Sequence, residues 1–201
     1  MNVDDPQWYR RAIFYEVLVR GFNDSSGDGT GDLRGVTEKL DYLEWLGIDC
    51  LWLLPFYESP LADGGYDISD FFSVHPDYGT VGDAAELIDE AHRRGMRVIA
   101  DMVMNHTSDQ HPWFQESRQS RTNPRADWYV WNDDNDRWAE ARVIFVDTEP
   151  SNWSWDTQRE QYYWHRFFHH QPDLNFRNPE VADAMIDVVR YWLGLGLDGF
   201  R

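Results

Sequence analysis

Residues 50–56, CLWLLPF, form a continuous apolar run about as long as one β-strand. A run without polar alternation is typical of a parallel strand that helices cover on both faces. Cys50 lies in this run and is the only cysteine of the chain, so no internal disulfide is possible and a buried thiol is expected. The run therefore predicts the interior of a parallel sheet.

The segments on either side of this run alternate between helix and strand patterns. On the N-terminal side, residues 12–22 predict a strand, and residues 36–47 repeat their apolar side chains with helical spacing. On the C-terminal side, residues 84–95 predict a helix with Asp83 as its N-cap, and residues 97–105 predict a third strand. Such alternation is typical of right-handed crossovers in a parallel sheet.

The regular alternation stops after the third strand. The following segment is polar and aromatic, contains several prolines, shows no clean period and is too long for a plain loop. Residues 179–196 return to a helical pattern, and residues 197–201 begin a fourth strand. The predicted domains are the first half of a barrel at 1–106, an inserted domain at 107–178, and a barrel helix with the start of strand four at 179–201.

Four parallel strands with helices between them form half of an eight-fold barrel or part of an open sheet. Both edges of such a half barrel would lack a neighbouring strand. The expected fold class is therefore α/β, the N-terminal half of a (β/α)8 TIM barrel with a small domain inserted after strand three. The sequence is expected to be a fragment of a longer protein.

Polar side chains follow the predicted strands at their C-terminal ends, where a parallel barrel builds its active site. They are Asp101, Asn105 and His106 after strand three, Asp63 and Tyr66 after strand two, and Arg201 after strand four. The two-residue alternation of a strand predicts that Asp101 and Asn105 lie on one side. Carboxylate, imidazole, phenol and guanidinium groups together suit a ligand rich in hydroxyl groups.

Composition narrows the classes of partner. The chain has 201 residues and a formal net charge of -18, so nucleic acid is not an expected partner. The aromatic share of 16% suits sugar binding and a large core equally well. No segment reaches about 18 consecutive apolar residues, and the N-terminus has no basic start followed by an apolar stretch. We therefore expect no membrane association and a cytoplasmic location.

Three motifs occur in order along the chain: DxxxNH at 101–106, QPDLN at 171–175 and DGFR at 198–201. Together they resemble the motifs of the α-amylase superfamily of retaining α-glucoside enzymes. The resemblance implies that the transferred glucosyl ring is lined by Asp63, Tyr66, His106 and Arg201, with Asp101 helping to hold the arginine. It also implies that the nucleophile, two positions after Arg201, and the acid/base glutamate lie beyond this sequence, so these residues alone should be inactive.

Within the superfamily, QPDLN resembles the group of oligo-1,6-glucosidases, amylosucrases and trehalose synthases. Residues 145–176 most closely resemble the trehalose synthases, which implies Phe167 and Gln171 beside the sugar and an aromatic insertion that excludes water. The implied ligands are maltose, trehalose or related small α-glucosides, and an oligomer is possible for the longer protein. A hydrolytic α-glucosidase of the same branch and a non-catalytic sugar-binding relative are the alternatives.

Residues 24–32, DSSGDGTGD, place an aspartate at every fourth position with glycines between. The stretch resembles the calcium loop of the oligo-1,6-glucosidase branch, which implies a Ca²⁺ ion held by Asp24, Ser26, Asp28, Thr30 and Asp32. Ser26 stands where that branch commonly has asparagine, and a solvated acidic turn is the alternative. The resemblance also implies a second ion site at Asn105 and Asp173, joining barrel to insertion.

Overall fold

The computed structural model describes residues 6–201. Among these residues the strands are β1 (Phe14–Val17), β2 (Cys50–Leu53), β3 (Tyr57–Glu58), β4 (Asp70–Val74), β5 (Arg97–Ala100), β6 (Trp131–Asn132), β7 (Trp153–Asp156), β8 (Gln161–Trp164) and β9 (Gly199–Phe200). The α-helices are α1 (Val19–Phe22), α2 (Leu33–Glu38), α3 (Leu40–Leu46), α4 (Val81–Arg93), α5 (Pro112–Ser117) and α6 (Pro179–Leu195). Contacts divide the chain into two compact units: the first contains residues up to Glu58, Phe72–Met102 and Val189–Arg201, and the second contains Ser59–Phe71 and Val103–Val188.

The first unit contains a four-stranded sheet in the order β1-β2-β5-β9, in which every neighbouring pair is parallel. Its register aligns Phe14 with Cys50, Cys50 with Arg97, and Ala100 with Phe200. The side chain of Cys50 is buried as expected, and burial raises its pKa to about 12. This sequential parallel order is that of the first four strands of a (β/α)8 barrel, which confirms the predicted fold class.

The single helix predicted for residues 36–47 is wrong, because the structure forms two helices, α2 and α3. Asp32 caps α2 by accepting the N–H of Gly35 at 2.6 Å. The helical path breaks at Lys39, whose backbone has φ -99° and ψ 4°, and α3 ends at Gly47 with φ +83°. Val36, Leu40 and Leu43 of the predicted apolar stripe are nevertheless fully buried, as is Leu33, whereas Leu46 at the end of the stripe is 44% exposed.

Helix α4 starts earlier than predicted, and its N-cap is Thr80 rather than Asp83. The Thr80 hydroxyl accepts the N–H of Asp83 at 3.2 Å, and the Asp83 carboxylate accepts the N–H of Thr80 at 2.8 Å. This reciprocal arrangement is a capping box, in which the acidic residue occupies the third helical position. Asp83 therefore stabilises the N-terminus of α4, but from a position inside the helix.

The predicted strands are too long at their C-terminal ends. The strand predicted for 12–22 stops at Val17 and one helical turn, α1, follows. The strand predicted for 50–56 stops before Pro55, which has no N–H for a sheet. The strand predicted for 97–105 stops at Ala100, so the alternation that placed Asp101 and Asn105 on one side does not apply.

Helix α6 spans Pro179–Leu195, one residue shorter than predicted, with Pro179 in its first turn as the N-terminal preference of proline favours. Gly196 follows with φ +121°, a backbone conformation that side chains with a Cβ rarely adopt. Within residues 6–201, no helix combines the length and the apolar character needed to cross a membrane.

The second unit contains α5 and a three-stranded antiparallel sheet in the order β6-β8-β7. Aromatic side chains fill its interior: Phe114 stacks on Trp131 at 5.5 Å and meets Tyr129 and Tyr163 edge-on at 5.0 and 5.2 Å. The expectation of a small fold inserted after the third barrel strand is confirmed. Its predicted boundaries, 107–178, stay a prediction.

Candidate active site

Five of the residues predicted to contact sugar lie together in the second unit. Gln171 donates from Nε2 to the Asp63 carboxylate at 2.8 Å. His106 contacts the Tyr66 carbonyl through Nε2 at 3.2 Å, and its ring lies 5.2 Å from the ring of Phe167. Because a carbonyl only accepts, His106 carries its proton on Nε2. The structure thus brings together three segments far apart in the sequence.

The turn that carries Asp63 is built around Asp67, a fully buried carboxylate. Asp67 accepts the N–H of Ala62 at 2.9 Å, the N–H of Asp63 at 3.0 Å and the hydroxyl of Ser59 at 3.0 Å. Gly64, next to Asp63, has φ +60°, which glycine adopts at low cost. Asp67 therefore fixes the backbone from which Asp63 projects.

A second loop carries Phe167 and Gln171. The Gln171 side-chain oxygen accepts the N–H of Phe168 at 3.2 Å, so the amide is engaged at both ends. His165 is fully buried, and its Nδ1 donates to the Phe167 carbonyl at 3.0 Å while Nε2 accepts the Ser154 hydroxyl at 2.9 Å. Sequence reasoning did not identify His165 as the residue that holds this loop, because its partners follow no fixed spacing.

Burial determines the charge of the imidazole at the site. Loss of water around His106 lowers its pKa to about 4, so the ring is neutral near neutral pH. Its Nδ1 then accepts a hydrogen bond from the Asn105 side chain at 3.3 Å. Both ring nitrogens of His106 are therefore engaged within the protein, and the neutral ring brings no charge to this cluster.

The residues predicted for a second ion site bind each other directly. Asn105 donates from Nδ2 to Asp173 Oδ1 at 2.9 Å, and the N–H of Arg166 reaches the same oxygen at 3.0 Å. Burial raises the pKa of Asp173 to about 7. The bond uses Asn105 Nδ2, whereas an ion would bind the amide oxygen of Asn105, and the second ion site stays a prediction.

Asp101 and Arg201 lie within the first unit, where their side chains form an ion pair. The buried Asp101 carboxylate lies 3.4 Å from the Arg201 guanidinium and accepts Trp52 Nε1–H at 2.9 Å. The guanidinium lies 5.1 Å from the centre of the Trp52 ring, and the Tyr57 hydroxyl donates to the Asp101 carbonyl at 2.9 Å. Trp52 and Tyr57 carry no sequence signal of this role, because they belong to an apolar, strand-like region.

The predicted calcium loop also lies in the first unit, and its backbone donates to its own carboxylates. Asp24 accepts the N–H groups of Gly27 and Gly29, each at 2.7 Å, which lowers the pKa of Asp24. Asp28 accepts the N–H of Thr30 at 2.8 Å. Gly27 and Gly29 have φ of +83° and +96°, which makes this tight path possible.

The side chains of this loop are not gathered around one point. Asp32 accepts the hydroxyl of Ser25 at 2.7 Å in addition to capping α2. In the part of the chain that the structure describes, no group of three or more His, Cys, Asp or Glu side chains is placed to hold a metal ion. The spacing and backbone of the loop fit an ion, whereas its carboxylates would have to turn toward it.

The sequence and the fold assign this chain to a protein family. Residues 16–201 match the Alpha-amylase family, described as the alpha amylase catalytic domain, and the chain belongs to that family. It is 66% identical over 197 residues to the trehalose synthase/amylase TreS of Mycobacterium tuberculosis, covering 98% of this chain and 33% of that protein. It is 52% identical to the trehalose synthase of Thermus thermophilus and 48% identical to a probable alpha-glucosidase of Rhizobium meliloti, again over 98% of the chain and over 20% and 36% of those proteins.

Solved structures agree with this assignment. The alpha-glucosyl transfer enzyme XgtA has 49% identity and a TM-score of 0.90, covering 96% of this chain and 36% of that one. The isomaltulose synthase of Erwinia rhapontici, solved as a mutant with its natural substrate sucrose, has 46% identity and a TM-score of 0.91, covering 98% and 35%. The chain thus spans about a third of the length of most of these relatives.

Proposed function

We propose that the protein containing this chain interconverts maltose and trehalose by intramolecular glucosyl transfer with retention of configuration. The observation that carries the proposal is the cluster of Asp63, Tyr66, His106, Phe167 and Gln171, which gathers sugar-binding chemistry from three separate segments. The 66% identity to a trehalose synthase/amylase supports maltose and trehalose as the substrates.

Each side chain in the proposal has a distinct task. Gln171 occupies Asp63 Oδ2, so Asp63 Oδ1 is the oxygen that accepts a sugar hydroxyl. The Tyr66 and Phe167 rings provide apolar faces for the ring of the sugar. Arg201, held by Asp101, stabilises the ionised form of a neighbouring carboxylate.

The bond-breaking groups come from the remainder of the longer protein. A retaining enzyme uses one carboxylate to attack the anomeric carbon and a second carboxyl group, about 5–5.5 Å away, to protonate the leaving oxygen. The freed glucose then turns and its anomeric hydroxyl attacks the glucosyl-enzyme, which breaks the bond to the first carboxylate while the second carboxylate takes up the hydroxyl proton. In this scheme the described residues bind and orient the glucosyl ring, and do not break the bond.

Isomerisation requires that water does not reach the glucosyl-enzyme. Next to Phe167, the second unit contains a stack of rings: Phe145 lies parallel to Phe168 at 4.2 Å, and Phe168 lies parallel to His170 at 5.2 Å. We propose that this stack forms the apolar cover that keeps the freed glucose in the pocket.

Hydrolysis is the second candidate, because relatives described as a probable alpha-glucosidase and an oligo-1,6-glucosidase are 48% and 44% identical to this chain. Such an enzyme would use the same cluster and admit water. The test is to incubate the product of the complete gene with maltose and quantify trehalose and glucose by NMR. Mostly trehalose supports isomerisation, mostly glucose supports hydrolysis, and neither product supports a sugar-binding protein without catalysis.

We also propose that residues 24–32 bind Ca²⁺. Asp24, Ser26, Asp28, Thr30 and Asp32 occupy positions 1, 3, 5, 7 and 9 of the loop, the ligand spacing of a calcium-binding EF-hand loop. The glycine required at position 6 is Gly29, with φ +96°. Such hard oxygen donors suit Ca²⁺ better than a transition metal.

A further inference from the structure

A buried glutamate lies in a largely exposed turn of the second unit, at residues 144–149. The aliphatic side chains of this turn, Ile144 and Val146, belong to residues that are 37% and 70% exposed, whereas Glu149 is only 5% exposed. Hydropathy predicts the reverse, because a carboxylate loses its water on burial and an aliphatic side chain is stabilised by burial. The exchange of places indicates that the Glu149 carboxylate has a specific task.

This carboxylate binds one residue of the loop that carries Phe167 and Gln171. Glu149 Oε1 accepts the backbone N–H of His169 at 3.1 Å and the imidazole Nδ1–H of the same residue at 3.0 Å. Because an ionised carboxylate only accepts, His169 carries a proton on Nδ1. The Tyr163 hydroxyl donates to the His169 carbonyl at 2.9 Å, so the loop is held from two sides at this residue.

The turn that contains Glu149 also fixes Phe145, a ring of the proposed apolar cover. The N–H groups of Thr148 and Glu149 both donate to the Phe145 carbonyl, at 3.0 and 2.8 Å. The Phe145 ring lies parallel to that of Phe168 at 4.2 Å and 6.4 Å from that of Phe167. The turn therefore contacts the sugar-binding loop twice, through this pair of stacked rings and through the Glu149 carboxylate.

We propose, on the basis of the proposed isomerase function, that Glu149 and His169 are positioning residues that keep the apolar cover closed and so set the proportion of hydrolysis to isomerisation. With the cover open, water takes the place of the freed glucose as nucleophile. Water attacks the anomeric carbon, the bond from that carbon to the first carboxylate breaks, and the second carboxylate takes up the water proton. Glucose then forms instead of trehalose.

The two partners differ in how safely they can be changed. The Glu149 side chain is 4% exposed, and its removal leaves the backbone N–H of His169 without its acceptor. The His169 side chain is 62% exposed, so its removal disturbs little packing. His169 is therefore the position at which the contact can be removed with the least effect on folding.

The test compares His169→Ala with His169→Asn in the complete gene product. Alanine removes the donor, whereas the asparagine amide can present an N–H group to Glu149 in place of Nδ1. Each protein is incubated with maltose, and NMR measures glucose and trehalose at the same early extent of conversion. We expect His169→Ala to raise the ratio of glucose to trehalose at least about threefold and His169→Asn to leave it within about twofold of the original value.

Two further variants locate the effect. Glu149→Ala should raise the ratio at least as much as His169→Ala, and the double variant should raise it no further, because both changes break the same contact. Asp147→Ala, an exposed change in the same turn, is the matched control and should leave the ratio unchanged. Unfolded molecules form neither product, so a loss of folded protein lowers both rates and leaves their ratio the same.

The outcomes separate this proposal from the function on which it rests. If the original protein forms trehalose and His169→Ala leaves the ratio unchanged, the positioning role is wrong and the isomerase function stands. Equal increases for His169→Ala and His169→Asn would also overturn the role, because the hydrogen bond would then not be the cause. If the original protein forms no trehalose from maltose, the isomerase function is wrong and the positioning role is overturned with it.

Discussion

The buried imidazoles of the second unit link its stability to pH. Burial lowers the pKa of His106 to about 4 and that of His111 to about 3. In the unfolded chain both protonate near 6.5, so between pH 6.5 and 4 the unfolded state binds more protons than the folded state. The stabilisation is therefore complete above 6.5 and falls as the pH is lowered through this window.

His111→Asn tests this linkage. The imidazole Nδ1 caps α5 by accepting the N–H of Trp113 at 3.0 Å, and asparagine can keep a capping oxygen while removing the titrating ring. We expect the melting temperature of the variant to fall less between pH 6.5 and 4 than that of the original protein. For each protein the melting temperature is compared with its own melting temperature near pH 8, where imidazoles are neutral in the folded and unfolded states. Equal slopes would contradict the linkage.

Trp52 is a positioning residue in the proposed mechanism, since its indole N–H donates to Asp101 at 2.9 Å. Trp52→Phe keeps an aromatic ring beneath Arg201 and removes the donor, so Asp101 should hold the arginine less firmly. We expect kcat/KM for maltose to fall about three- to tenfold, as loss of one hydrogen bond predicts. The decrease in kcat/KM should come from a lower kcat. It should be greater than the decrease caused by Tyr42→Phe, a change at an exposed position.

Motifs predicted which residues form the site, but not how they are held. DxxxNH and QPDLN contain His106 and Gln171, so the sequence alone indicated both. The bond from Gln171 to Asp63 joins positions 108 residues apart, and no local pattern encodes such a pair. Trp52 and His165 escaped prediction for the same reason: their roles exist only once distant segments pack.

At the scale of elements, α2 depends on a glycine that approaches another backbone. A Cβ on Gly35 would lie 1.9 Å from the Asn23 carbonyl oxygen, a contact that requires the backbone to move. In α6, by contrast, a Cβ on Gly194 would meet no heavy atom within 4 Å. The same substitution should therefore have opposite effects in the two helices.

We expect Gly35→Ala to destabilise the protein by about 1–3 kcal/mol or more, and Gly194→Ala to stabilise it by about 0.5–1 kcal/mol. Chemical unfolding of both variants in the complete gene product measures the difference. If Gly35→Ala were as stable as Gly194→Ala, the close approach of α2 to Asn23 would be wrong.

Helix and strand types were predictable from periodicity, whereas their ends were not. Val36, Leu40 and Leu43 of the predicted apolar stripe are buried, whereas Leu46 is 44% exposed. The break at Lys39 leaves the spacing of these apolar residues unchanged, so hydropathy does not reveal it. Strand β5 ends at Ala100 although the apolar residues Met102, Val103 and Met104 follow, and hydrogen bonds from Asp101 to Leu53 and from Met102 to Arg201 continue just past its end, so hydropathy does not mark where the strand stops.

At the scale of the whole molecule, the proposed Ca²⁺ ion would offset part of a net charge of -18. We expect chelation to lower the melting temperature of the complete gene product, because an ion that binds only the folded state stabilises it. Asp28→Asn should abolish this shift. Asp147→Asn, an exposed change of equal charge, should retain it, and a shift that survives Asp28→Asn would exclude the loop as its source.

Identification at the family level was possible because three motifs occur in the right order between residues 101 and 201. The reaction within that family depends on water access, which no motif encodes. The placement of Phe145 against Phe167 and Phe168, at 6.4 and 4.2 Å between ring centres, became visible only in the folded second unit.

The central claim is that Asp63 and its neighbours bind the glucosyl ring of maltose. The most direct measurement is the rate of trehalose formation from maltose by the Asp63→Asn variant of the complete gene product, beside Asp147→Asn. We predict a fall in kcat/KM of about a hundredfold or more for Asp63→Asn, which corresponds to about 2.7 kcal/mol of lost transition-state stabilisation, and no change for the control. A fall of less than about threefold for Asp63→Asn would contradict the claim.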